Sequence, residues 1–164
     1  MASRKIEDAI NDVLKDGAQQ NALDFVTYLR ANEIPLDESE NYWEVKYRDE
    51  CMCYLWIDGS DNAPGPWTVW SAQVPGAWPE GDHGHKNIEL LESVQLIETV
   101  WANVNICGNC GGCDKPGGRK KTILGKGFDN VCVSTMAFTN PDTDALKCAK
   151  AMIEARKRDI QMSR

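Results

Sequence analysis

The apolar positions of the chain change their period along its length, and those changes divide it into elements. Ile6, Ala9, Ile10, Val13 and Leu14 recur at helical spacing, with Ser3 placed to cap a first helix and Gly17 where a C-cap belongs. Ala22, Phe25, Val26 and Leu29 predict a second helix over Gln19 to Asn32, which Pro35 prevents from continuing. From residue 43 the period drops to two. In "YWEVKYR", Trp43, Val45 and Tyr47 alternate with Glu44, Lys46 and Arg48, and in "CMCYLWID" the same rule puts Cys51, Cys53, Leu55 and Ile57 on one face. "RDE" between the two runs reads as a hairpin connection, and "PWTVWSA" as a third strand with Pro66 at its start.

The stretch "QVPGAWPEGDHGH" is irregular, and "NIELLESVQLIET" reads as one helix or two short pieces. Val100, Ala102, Val104 and Ile106 then alternate with Trp101, Asn103 and Asn105, which predicts a strand running straight into Cys107. "KTILG" and "FDNVCVSTMAF" read as further strands, the second apolar on both faces and therefore central. The last helix is predicted with Asn140 as N-cap, Pro141 at the first helical position, and Ala145, Ala149, Met152 and Ile153 as its stripe. The expected class is α+β: an antiparallel sheet of about five or six strands with N- and C-terminal helices packed on one face. A single domain is expected, with helices over 3–33, a sheet region over 41–138 that carries the cysteine loop over 107–121, and a final helix over 140–162.

Charge adds an asymmetry. The net charge is −7, but residues 1–100 hold 7 Lys and Arg against 19 Asp and Glu, whereas residues 101–164 hold 11 against 6. The acidic part argues against nucleic-acid binding by the whole surface, and the basic part leaves room for a local anion. Apolar residues make up 42% of the chain, enough for a core without disulfides. No apolar run reaches the ~18 residues of a membrane span, and the charged opening has no secretory pattern. The expectation is a soluble cytoplasmic protein with no membrane partner.

Candidate chemistry concentrates in "ICGNCGGCDKPGGRKK". Cys107, Cys110 and Cys113 stand at two-residue gaps with glycines between them, a form that lets two thiolates face one point while amide N–H groups approach sulfur. A structural zinc site needs a fourth ligand, and Cys132 is the favoured candidate, with His83 and His85 as alternatives. The same spacing opens a bacterial ferredoxin run, but the closing cysteine–proline is missing, so an Fe–S cluster is the second cofactor reading. "CGNC" also resembles a redox dithiol, in which Cys107 and Cys110 would act, although "GGCDKPGG" cannot supply the helix that such a site needs. Arg119, Lys120 and Lys121 make a third reading, a basic loop that holds phosphate or nucleic acid. Cys51, Cys53 and Cys148 are expected to behave as small buried apolar residues. "GKGFDN" is no phosphate loop, and neither G-x-S-x-G nor H-E-x-x-H occurs, so no catalytic set is assigned.

The chain holds 6 tryptophans. If helices cover one sheet face, some of the aromatics must line the other, and Tyr42, Tyr54, Trp56, Trp67 and Trp70 are the candidate ligand surface for a small molecule or a protein partner. The segments "WEVKY", "DGSDNAPGPWTVW", "WANVNICGNCGGC" and "FDNVCVSTMAFTNPD" resemble a group of small uncharacterised bacterial proteins over most of residues 40–160. That resemblance implies a bacterial single domain and transfers no mechanism.

Overall fold

A computed structural model describes residues 3–60, 65–72, 94–110 and 117–162. Among them are four helices, α1 (Ile6–Val13), α2 (Asp16–Ala31), α3 (Val94–Ala102) and α4 (Thr143–Met162). Seven strands complete the set: β1 (Leu36–Glu38), β2 (Trp43–Tyr47), β3 (Glu50–Ile57), β4 (Trp67–Ser71), β5 (Val104–Ile106), β6 (Arg119–Ile123) and β7 (Lys126–Thr139). The class is α+β, as expected, with a sheet slightly larger than the sequence suggested.

Every strand pairing is antiparallel, in the order β1-β2-β3-β4-β7-β5, and β6 pairs with β7 off that path. The 14-residue β7 is the organising element: its C-terminal half meets β4 and its N-terminal half meets β6. Two hairpins close through two-residue turns in the left-handed region, Arg48–Asp49 at φ 50° and 66°, and Leu124–Gly125 at φ 47° and 82°. Such turns match the right-handed twist of the strands they join. The first confirms the hairpin expected at "RDE", with Glu50 already in the strand.

Four local expectations are corrected. Ser3 does not cap α1; its hydroxyl donates to Glu38 Oε2 at 2.9 Å, tying the N-terminus to β1. Gly17 is no C-cap but lies in the first turn of α2, which starts three residues earlier than its apolar stripe indicates. The strand over 100–106 is mostly helix. Leu96 and Val100 share one helical face in the core, and the turn ends where Asn103 bonds back to Thr99 and Val100, leaving only Val104–Ile106 extended. Finally, α4 is capped by Asp142, whose Oδ1 accepts the Ala145 N–H at 2.9 Å. Asn140 instead turns the chain at φ 44° and donates its N–H to Trp67 O.

The core lies between the helices and one face of the sheet. Phe25 and Leu29 of α2, Met152 and Ile153 of α4, and Val45, Leu55, Val69 and Phe138 of the strands belong to one buried cluster. Val69 pairs with both Leu55 and Phe138, so one row of inward side chains crosses three strands. At about 25 cal/mol per Å² of apolar surface removed from water, this cluster is the main favourable term in folding.

Candidate functional site

The register places each aromatic residue on a face, because partners across a ladder share a face. Trp67 pairs with Ile57 and is fully buried in the core cluster. It belongs to the core and not to the ligand surface the sequence suggested; one residue of register separates the two fates. Tyr54 pairs with Glu44 and Trp70, and Trp56 with Thr68, on the face turned away from the helices. There Tyr42 meets Tyr54 edge-on with centroids 5.3 Å apart, and Trp56 meets Trp70 at 5.7 Å. Tyr42 is exposed and the other three are half-buried, so the two pairs form an aromatic surface with access to water.

A cavity of about 300 Å³ opens beside this surface. Tyr42 and Trp56 line it, together with Arg4, Glu38, Glu40 and Asp58. Its walls are braced locally. Glu38 Oε2 accepts from the Ser3 hydroxyl and from the Arg4 N–H at 2.7 Å. Asp58 Oδ1 accepts the Ser60 N–H at 2.7 Å, and the Ser39 N–H donates to Tyr42 O at 2.8 Å, closing the β1–β2 turn.

A bulge in β3 corrects a second assignment. Val45 pairs with Cys53 but the next residue, Lys46, pairs with Cys51, so Met52 is extra. The alternation that put Cys51 beside Cys53 is broken. Cys53 and Met52 are fully buried, whereas Cys51 turns to the outer face near Glu44, Lys46 and Tyr54. Burial pushes the Cys51 thiol up to about 11 and Cys53 well above its ordinary value. Cys148 donates to Leu96 O at 3.3 Å, and desolvation lifts it to about 12. All three are thiols, not thiolates, at neutral pH, in keeping with a packing role.

The cysteine loop leaves β5 at Ile106 and re-enters the sheet at Arg119. Its two ends are stapled by one residue, Asn130 of β7, held at φ 59°. Asn130 O accepts the Cys107 N–H at 2.7 Å, Asn130 Nδ2 donates to Cys107 O at 3.2 Å, and Asn130 Oδ1 accepts the Gly118 N–H at 3.0 Å. No sequence signal singled out Asn130; only the pairing of β5 and β6 to the same strand gives it both partners. Within the loop, the Asn109 N–H points at Cys107 Sγ at 3.5 Å, with Asn109 at φ 52°. This is the amide-to-sulfur approach expected of a C-x₂-C turn. Cys107 is half-buried and Cys110 exposed, and residues 107–110 are not helical.

Cys113, His83 and His85 lie outside the described residues. Among the described residues no three His, Cys, Asp or Glu side chains are grouped so as to hold a metal ion, so Cys107, Cys110 and Cys132 do not form a centre by themselves. The basic residues are also repositioned. Arg119, Lys120 and Lys121 stand on strand β6, not in a loop, because the Leu124–Gly125 turn folds that segment onto β7. Lys121 Nζ donates to Thr135 Oγ1 at 2.9 Å and Lys120 pairs with Asp129 at 3.9 Å, so two of the three cations already have partners.

No protein-family model, curated protein or solved structure matches the chain. No described helix is long and apolar enough to cross a membrane.

Proposed function

We propose that this protein is a non-enzymatic binding module that holds a small molecule on the outer face of its sheet. The observation that carries this reading is the pair of aromatic contacts, Tyr42 with Tyr54 and Trp56 with Trp70, on the face opposite the helices and next to a cavity. Aromatic rings with one side in water supply stacking area at little entropic cost, and small-molecule sites combine such rings with a few polar groups. The test is a screen of small flat and cationic compounds, followed through the six tryptophan indole N–H signals in a ¹H–¹⁵N spectrum. Trp56 and Trp70 are expected to shift saturably while Trp67 stays still, and Trp56→Ala is expected to remove the response. Silence of Trp56 and Trp70 towards every compound would overturn the reading.

A second reading concerns the loop. Cys107, Cys110 and Cys113 would hold a zinc ion, with His83 or His85 completing the set, since Cys132 is not grouped with Cys107 and Cys110. The Asn109 N–H aimed at Cys107 Sγ supports this, whereas a redox dithiol needs a helix from its first cysteine and the described residues 107–110 are not helical. Asn130 already closes the base of the loop, so the metal is not needed to join the strands. Alkylation at pH 8 of the reduced, metal-free protein is expected to modify Cys107 and Cys110 first. Cys51, Cys53 and Cys148 should stay unmodified, since burial holds them above that pH. Added zinc should then protect Cys107 and Cys110 together, read by peptide mass spectrometry. Equal alkylation with and without zinc would remove the metal reading, and rapid peroxide-driven pairing of Cys107 with Cys110 would favour the redox one.

A further inference from the structure

We infer that the cavity between Tyr42 and Trp56 selects a small organic cation, an ammonium of a few carbon atoms; the inference rests on the binding reading above and adds the class of ligand. Three acidic residues, Glu38, Glu40 and Asp58, line the cavity against one basic residue, Arg4. Arg4 is itself paired with Asp12 of α1, so its charge is already answered by a further carboxylate. The formal charge of the lining is therefore −2, and Asp12 makes the neighbourhood more negative still. An anion would meet repulsion there and would have to displace Asp12 from Arg4.

Aromatic rings and carboxylates around one cavity attract the same kind of guest. The face of an indole or phenol ring is the negative part of its quadrupole, so a cation near it gains electrostatic energy that a neutral molecule of the same shape does not. The carboxylates add Coulomb attraction at longer range and help to bring the ligand in. The size also restricts the choice. A cavity of about 300 Å³ is at the lower end for small-molecule sites and has room for a substituted ammonium, not for a nucleotide. Glu38 is fixed by the Ser3 hydroxyl and the Arg4 N–H, and Asp58 by the Ser60 N–H, so these two charges are preorganised before any ligand arrives.

Choline and its uncharged carbon analogue 3,3-dimethylbutan-1-ol are the two probes, titrated into the intact protein and followed by calorimetry and by the Trp56 indole signal. Choline is expected to bind saturably and to move Trp56, and the neutral analogue to bind at least about tenfold more weakly, the factor that one desolvated cation–aromatic contact provides. Asp58→Asn combined with Glu40→Gln keeps shape and the acceptor for Ser60 while removing two charges; it should weaken choline several-fold with an unchanged melting temperature. Four outcomes overturn the inference. If the neutral analogue binds as tightly as choline, or the double variant binds choline as well as the parent, the surface is aromatic but indifferent to charge, and the binding reading stands alone. If only flat neutral compounds move Trp56 and Trp70, the same conclusion follows. If no compound of either class binds, both readings fall.

Discussion

Trp67→Ala is expected to lower the unfolding free energy by about 3–5 kcal/mol, the range for emptying a large buried aromatic site. For a chain of this size that corresponds to a fall in melting temperature of roughly 6–20 °C. Trp67 is fully buried and packs with Ile57 and Val69 under the helices. Trp56→Ala, eleven positions earlier, should cost only about 1–2 kcal/mol, because half-buried Trp56 already has part of its ring in water. The contrast separates the two sheet faces, and thermal or denaturant unfolding of both variants measures it. Equal losses would mean that the outer face is as closed as the inner one, and the proposed surface would disappear. Trp67→Phe should be milder than Trp67→Ala for a second reason. The Trp67 Nε1–H has no acceptor among the described residues, so removing it relieves a buried donor.

The second large effect is expected at Gly118. A Cβ there would lie 2.2 Å from the carbonyl carbon, 2.4 Å from the oxygen and 2.6 Å from the Cα of Asn130. All three are backbone atoms, so nothing flexible can yield, and the strand pair at the base of the loop must open. Gly118→Ala should destabilise by about 3 kcal/mol, the upper part of the range for forced overpacking. It should also break the bond from the Gly118 N–H to Asn130 Oδ1 and expose residues 107–118 to limited proteolysis. Gly108→Ala is the control, since a Cβ there meets nothing within 4 Å. If both variants behave like the parent, Asn130 does not staple the loop, and a metal or another contact must hold its ends together.

The elements differ in how far they could be read without coordinates. The two N-terminal helices, the strands around Val45, Leu55 and Val69, the hairpin at Arg48–Asp49, the central β7 and the last helix all follow from periodicity and turn chemistry. Those signals are local: a stripe or an alternation records which side of one element is buried. The strand expected over 100–106 failed because Val100, Ala102, Val104 and Ile106 satisfy an alternation while Leu96 and Val100 satisfy a helical spacing. With apolar residues compatible with both periods, packing of α3 against α4 decided the matter.

What the chain's own pattern established is a two-sided sheet with helices on one side, a cysteine-rich connection at 107–113, and more aromatic residues than one core face needs. Only the assembled fold assigned those aromatics to faces. The bulge at Met52 turned Cys51 outward, and the pairing of Trp67 with Ile57 took it into the core, because side chains follow the register of the partner strand and one extra residue reverses a face. The staple at Asn130 likewise exists only because β5 and β6 both pair with β7, bringing residues 107 and 118 to one asparagine. The acid-rimmed cavity gathers Arg4, Glu38 and Asp58 from separate parts of the chain. Neighbours far apart in sequence leave no period behind, so such contacts are set by tertiary geometry alone.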